Sequence, residues 1–231
     1  MKKTLIAGVD EAGRGCVLGP LVIAICVVEK DKEDFLKKLG VKDSKLLTKL
    51  QREKLFPIIV ENCEGYKIIQ IPAEELNISM NSFSLNEIEA QKISEIIKDV
   101  KKFDKVILDS PDTDTNKFRL RVCRNLKVNC KDLDYEIVSE HKADFKYISV
   151  AAASILAKVT RDNLLFELLG NDLSGYSSDP KTIDYLKNYI LENKTLPHLS
   201  RTKWKTIDNV MKELYQKKLG WFSAETKSNK N

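Results

Sequence analysis

The chain has 231 residues, 42% of them apolar and 32% charged, with 39 lysines and arginines against 34 acids. That composition describes a well-cored globular domain, with or without an appendage, and excludes a disordered or membrane protein. The longest apolar run, Leu21 to Val28, is too short to span a bilayer, and Asp10 and Glu11 interrupt the first apolar stretch too early for a signal peptide, so a cytoplasmic protein is expected.

In chain order, Thr4–Asp10 and Leu21–Val28 read as strands rich in β-branched residues, joined by a glycine-containing segment from Gly13 to Pro20. Residues 65–72 predict a third strand, and Pro72 with the acids after it opens a short helix. Leu85, Ile88, Ile93, Ile96, Ile97 and Val100 recur at three- and four-residue steps, which predicts an amphipathic helix from about Ser84. Lys105–Ser110 reads as a short buried strand stopped by Pro111, residues 116–126 as a helix and 135–140 as another strand. A long helix follows, with the small-residue patch Ala151–Ser154 near its start and Asp144 at its head. Residues 170–180, with two glycines, three serines and a proline, predict a loop. Two more helices begin at about Pro180 and Arg201, and the polar residues from Ser223 on predict a disordered tail.

Two histidines and five scattered cysteines without a CxxC pair leave no zinc-spaced cluster, and the odd cysteine count points to reduced thiols. The acids are more informative. Adjacent strand residues point to opposite faces, so Asp10 and Glu11 converge only if the strand ends there and the chain turns, which Gly13 and Gly15 allow. Paired carboxylates suit a hard divalent cation; a solvated strand end is the plainer alternative. Asp109 ends an apolar strand, with a turn-forming role before Pro111 as its alternative, and Asp112 and Asp114 compete with it. For Asp144 the alternative is a helix N-cap. Spacing alone does not bring Asp10, Glu11, Asp109 and Asp144 together.

The ordered stretches GVDEAGRG, GPLVIA, VKDSKLLT, ILDS, EHKAD, AAASILAKVTRD and GYSSDPKT resemble ribonuclease HII, and EHKAD and RTKWKT resemble its archaeal form most. The resemblance runs from about Leu5 to about Lys218. It implies an α/β, ribonuclease H-like fold: a mixed central sheet flanked by helices, with a small helical C-terminal region. The implied division is a catalytic domain over 1–195, a helical region over 196–222 packed on it, and a polar tail over 223–231. It also implies a metal-dependent endoribonuclease acting on RNA–DNA hybrids and on ribonucleotides embedded in duplex DNA, with two Mg²⁺ or Mn²⁺ ions held by Asp10, Glu11, Asp109 and Asp144. Gly13, Arg14 and Gly15 match the family's glycine–arginine–glycine backbone motif, and Tyr176 matches its junction-sensing tyrosine. Cys16, where proline is common, and Ile148 depart from the pattern and leave the acids untouched.

On this reading the glycine turn brings backbone to a 2′-hydroxyl, and Arg14 pairs with a phosphate. Lys42, Ser44 and Lys45, in a loop before a helix, and Lys158 and Arg161, on one helix face, are further candidate substrate contacts. Each has an alternative as an ordinary solvated or ion-paired charge. His141 is a candidate for proton transfer or a surface histidine. Gln216–Phe222 resembles the glutamine–aliphatic–aromatic peptides that dock on sliding clamps. A P-loop is excluded, because Gly15 is followed by Cys16 and Val17 rather than Lys and Ser/Thr. The sister enzyme ribonuclease HIII usually has a further N-terminal domain, for which there is no room before Asp10. A hybrid-binding protein without chemistry is the remaining alternative, and the presence of all four acids argues against it.

Overall fold

In a computed structural model, residues 3–100, 102–170 and 173–228 are described, with side chains through Gln216. The strands β1 (Leu5–Ala12) and β2 (Leu21–Glu29) form an antiparallel pair, as the two apolar runs predict. The short helix α1 (Glu33–Lys38) and the longer α2 (Lys49–Asn62) follow. Thr48 starts α2 with a reciprocal capping box to Gln51. Then come β3 (Gly65–Ile71), α3 (Ala73–Ser79) and α4 (Leu85–Asp99), the last capped by Ser84 and carrying the predicted apolar stripe. β4 (Lys105–Asp109), α5 (Thr115–Leu126) and β5 (Glu136–Glu140) complete the sheet region.

The sheet order is β3-β2-β1-β4-β5, with β1, β4 and β5 parallel and β2 and β3 antiparallel to their neighbours. Alternation along the strands gives it two apolar faces. Ala7, Val9, Ile23 and Ile25 pack with α4 and α5 on one face. Val22, Ala24 and Cys26 pack with α2 and with α7 (Ile148–Leu169) on the other. The chain reaches α7 through the one-turn helix α6 (Ala143–Lys146), and Tyr147 between them is extended. Asp144 therefore sits on its own short helix and not at the head of the long one as the sequence suggested.

After α7 come α8 (Pro180–Asn193), with Asp179 as cap and Pro180 at its first turn, and α9 (Lys205–Ser228). A third apolar cluster joins these two helices, through Leu186, Ile190, Ile207 and Val210, to Val17 and Leu18 between β1 and β2. The C-terminal helices thus share a core with the glycine-containing segment. The backbone of α9 continues to Ser228, into the stretch expected to be a disordered tail; Ala224, Glu225 and Lys227 are good helix formers and no proline interrupts them. The aromatic residues of Gln216–Phe222 have side chains outside the described residues. No helix among the described residues is long and apolar enough to cross a membrane.

One cysteine expectation is corrected. Cys123 and Cys130 form a disulfide, and Cys16, Cys26 and Cys63 are free. Lys127 ends α5 in the left-handed conformation, which reverses the chain and returns Cys130 to a Cα–Cα distance of 5.5 Å from Cys123.

Gly8 fixes the approach of α7 to β1. A Cβ at Gly8 would overlap the backbone of Ser149 and Val150. Backbone on both sides cannot move aside as a flexible side chain can. Gly8→Ala is therefore expected to destabilise the fold by about 3 kcal/mol or more, read as a lower denaturant midpoint; an unchanged midpoint would mean that β1 and α7 do not pack this closely.

Candidate active site

The acids meet where the parallel strands end. Val9 pairs with Leu108, so Asp10 and Asp109 follow side by side on neighbouring strands and face the same side of the sheet. β5 lies on the far side of β4, and the turn after it delivers Asp144 on α6. Carboxylate oxygens of Asp10, Asp109 and Asp144 all lie within 4.8 Å of one another. The carboxyl ends of strands in an open α/β sheet are the usual place for a ligand.

Burial and mutual repulsion dominate the electrostatics. Asp10 and Asp144 are buried and Asp109 is half-buried. Burial, followed by the charges of Asp109 and Asp144, pushes the Asp10 carboxyl up to about 8, although Ser154 and the Glu11 amide donate to it. Burial also raises Asp109, against a 2.8 Å hydrogen bond from the Ala143 amide. Lys45 Nζ, 3.1 Å from Asp144 Oδ2, is a nearby positive charge. Such a set of hard oxygen donors fits a divalent cation, which would relieve the repulsion that one lysine leaves uncompensated.

Glu11 behaves differently. β1 continues to Ala12, so the chain does not turn after Asp10, and Glu11 points to the opposite face, toward α4. It borders the same cleft of about 230 Å³, with Asp10, Asp109, Lys45 and Tyr176, but is outside the three-carboxylate cluster. Its carboxyl is pushed well up by burial and then by Glu89 and Asp10. The competing acids are engaged elsewhere. Asp114 caps α5 by accepting from the Lys117 amide, and Asp112 pairs with Arg121 at 3.6 Å.

The glycine–arginine–glycine segment lies at the cleft, but Arg14 does not project as a free phosphate contact. Its guanidinium donates to Glu89 and, at 2.6 Å, to Asn86, both at the start of α4. Its carbonyl accepts from Arg201 at 3.1 Å, and Arg201 Nε donates to the Gly19 carbonyl at 2.9 Å. Gly13 has φ +88°, and a Cβ there would lie 2.8 Å from the Pro20 carbonyl, so only glycine permits this path. Gly15 is exposed, with the Tyr176 ring beside it.

Arg161, read as a duplex contact or as the partner of a helical acid such as Asp162, is 1% exposed on a helix, α7, that is buried along most of its length, and it makes that ion pair. It donates to the Ser174 carbonyl, to Asp162 at 2.9 Å and to Cys16 Sγ at 2.9 Å, and stacks 5.1 Å from the Tyr176 ring centroid. It holds the Tyr176 loop against the Cys16 segment, where Val17 and Leu18 amides both donate to the Gly175 carbonyl. Ser44 is buried too, with its hydroxyl 2.8 Å from that of Ser154, and so docks the Lys45 loop on α7. Lys158 lines the cleft and Lys42 is exposed without lining it. His141 is exposed near Asp109, where its charge favours the ionised carboxylate.

Sequence reasoning missed Glu89, Asn86, Ser154 and Arg201. Glu89 had a signal: it lies four residues after Leu85, inside the apolar stripe of α4, where an unpaired carboxylate is costly. Arg201 stands at the head of a motif that carried the resemblance, without a role attached to it.

The family model described as ribonuclease HII matches residues 7–207. The chain belongs to the ribonuclease HII family. It is thereby an enzyme, a ribonuclease H, and a hydrolase. A ribonuclease HII of Methanocaldococcus jannaschii is 41% identical over 227 residues, 93% of this chain and 98% of the relative. The crystal structure of ribonuclease H2 from Pyrococcus horikoshii OT3 superposes with a TM-score of 0.80 at 36% identity, over 91% of this chain and 98% of that one. An Archaeoglobus fulgidus RNase HII, solved in complex with PCNA, gives 0.76 at 39% identity, over 87% and 95%. The ribonuclease H-like fold expected from the sequence is the one present.

The raised carboxyls set a pH dependence. Asp10 ionises near 3.8 when unfolded and near 8 when folded without metal. Its contribution to stability is therefore full below about 4 and is lost as pH rises through about 8. A cation needs the ionised form, so its binding strengthens over that same window. Mg²⁺ or Mn²⁺ is expected to raise the melting temperature more at about pH 9 than at about pH 6. An equal rise at both values in scanning fluorimetry would show that these carboxyls are not the ligands.

Proposed function

We propose that the chain is a metal-dependent endoribonuclease that hydrolyses the RNA strand of RNA–DNA hybrids and cuts 5′ of ribonucleotides embedded in duplex DNA. It leaves 5′-phosphate and 3′-hydroxyl ends and serves, in the cytoplasm, to remove RNA primers and misincorporated ribonucleotides. The observation that carries this reading is the cluster of Asp10, Asp109 and Asp144 within 4.8 Å, in a cleft bordered by Gly13, Gly15 and Tyr176.

In this reading Asp10, Asp109 and Asp144 hold Mg²⁺ or Mn²⁺, with Glu11 reaching in from the other face of β1. Two bound divalent ions supply an activated water and charge relief on the leaving oxygen of a phosphodiester. The chain's own residues select the strand. Gly15 carries no side chain between backbone and solvent, which leaves room for a 2′-hydroxyl to approach. The Tyr176 ring supports the neighbouring sugar, and its hydroxyl, pushed up to about 12 mainly by burial, stays protonated as a donor. Lys45, beside Asp144, and Lys158 face the same cleft and suit a phosphate. Arg14 acts through the loop it anchors. Residues Gln216–Phe222 are proposed to dock on a sliding clamp, a reading to which the PCNA-bound relative adds support.

The decisive assay compares one duplex containing a single ribonucleotide with one continuous hybrid, with and without Mg²⁺. Asp109→Asn is expected to nearly abolish cleavage of both while duplex binding stays within a few-fold. Near wild-type turnover in saturating Mg²⁺ would move the role to another acid. Tyr176→Ala removes a stacking contact worth about 1–3 kcal/mol, so the rate at a single ribonucleotide should fall roughly ten-fold or more. The rate within a long hybrid should fall less. Equal losses on both substrates, with a lower melting temperature, would make Tyr176 a packing residue only.

A further inference from the structure

The Cys16 amide donates to the Gly13 carbonyl at 3.2 Å, which makes Arg14 and Gly15 the two central residues of a β-turn at the rim of the acidic cleft. Turns of this kind differ in the orientation of the peptide between their central residues. Here the carbonyl of that peptide, on Arg14, accepts from Arg201, which is fully buried. The peptide is trans, so its N–H, on Gly15, points away from Arg201. Gly15 is exposed and lines the cleft.

The side chain of Arg14 fastens the same turn from the other end. Its guanidinium donates to Glu89 and, at 2.6 Å, to Asn86, which lie three residues apart and so share one face of α4. Ile88, Ala90 and Ile93 pack α4 into the core, so the guanidinium is tied to a rigid element. Glu89 is buried, and its second oxygen has no hydrogen-bond partner among the described residues. Burial pushes its carboxyl up to about 7 against the pull of Arg14 and Arg201. A buried acid with one bonded partner stabilises a helix no better than an apolar residue of similar size. The bond to Arg14 is what distinguishes Glu89 from its apolar neighbours on the stripe.

We propose that Glu89 is a specificity-setting positioning residue. Through Arg14 it keeps the turn in the orientation that presents the Gly15 amide to the 2′-hydroxyl of a bound ribonucleotide, and so favours a ribonucleotide over a deoxyribonucleotide. The proposal rests on the endoribonuclease reading above, and it assigns part of the substrate choice to a helix with no residue in the cleft wall.

Glu89→Met, Arg14→Met and the double variant test it in the full chain. Affinity is measured in chelator for two duplexes of one sequence, one with a single ribonucleotide and one with a 2′-deoxy-2′-fluoro nucleotide in its place. Fluorine nearly keeps the size of the group but accepts hydrogen bonds poorly. The ratio of the two affinities cancels the change in net charge that each single variant brings. Wild type should favour the ribonucleotide by about two- to ten-fold, the net worth of one hydrogen bond, and Glu89→Met should lose that preference. Arg14→Met and the double variant should lose it to the same extent, because residues that act in series are not additive. The melting temperature of Glu89→Met should not fall, since Arg14 is partly exposed and is not left buried without a partner. An undiminished preference in Glu89→Met overturns the proposal. So do losses that add in the double variant, which would give Glu89 another route, and an affinity loss shared equally by both duplexes, which marks a general loosening. A wild type that binds both duplexes equally overturns it as well. If Glu89→Met does not fold, Glu89→Gln, which keeps an acceptor without the charge, should lose part of the preference, and an undiminished one overturns the proposal. If wild type fails to cut the single-ribonucleotide duplex in Mg²⁺, the endoribonuclease reading falls first. If it cuts and the variants keep its preference, only the role of Glu89 falls.

Discussion

Everything at this site depends on holding three like charges together at the end of a sheet. Parallel pairing of β1 with β4, and of β4 with β5, sets the carboxylates of Asp10 and Asp109 side by side and brings Asp144 in after the next strand. Burial raises the Asp10 and Asp109 carboxyls, and the like charges beside them add to it. A loop could not sustain the arrangement. The ladder hydrogen bonds beneath it, and the close seat of α7 on Gly8, leave the strand ends no freedom to separate.

Around that rigid centre, arginines join three loops, beside the apolar cluster around Val17 and Leu18. Arg14 ties the glycine segment to α4, Arg201 ties it to the chain before α9, and Arg161 ties it to the Tyr176 loop. Each arginine bonds to backbone carbonyls or to a buried acid. Arginine suits this task because its planar fork donates in several fixed directions at once. The consequence is that the surface expected to touch substrate is divided in two. Gly15, Lys45 and Tyr176 line the cleft, and so do Arg14 and Ser44, but these two, like Arg161, are bonded into the protein and hold their neighbours in place.

The same arrangement sets the helical C-terminal region beside the acidic cleft. Val17 and Leu18, directly after the glycine segment, form a core with α8 and α9, and Leu18 bridges to Ser200. The small helices thus brace the segment that borders the cleft from the side opposite the sheet. Asp179 does two things at once: it caps α8 and shapes the Tyr176 loop through Ser174, and four hydrogen bonds to its carboxylate hold it down to about 2.

Most strands and the amphipathic helix were legible in the sequence because burial imposes periodicity on the residues themselves. Alternation or continuous apolarity marks β1, β2 and β4, and the 3.6-residue stripe marks α4. The acids were legible as candidates through the motif order, and Asp109 as a strand end through its apolar run. Partnership was not legible. Whether Asp112 or Asp109 faces the cleft, whether Arg14 and Arg161 reach out or in, and which cysteines pair all depend on residues distant in the chain. Glu11 shows the division most clearly. Its neighbour Asp10 and the glycines after it suggested a turn, yet pairing with β2 carries β1 on to Ala12 and sends Glu11 to the other face. The sequence by itself determined the elements and the chemical kinds available, because propensity and periodicity are local. Tertiary structure alone decided which charges meet, because strand register and helix packing are set by contacts between segments that a local pattern does not encode.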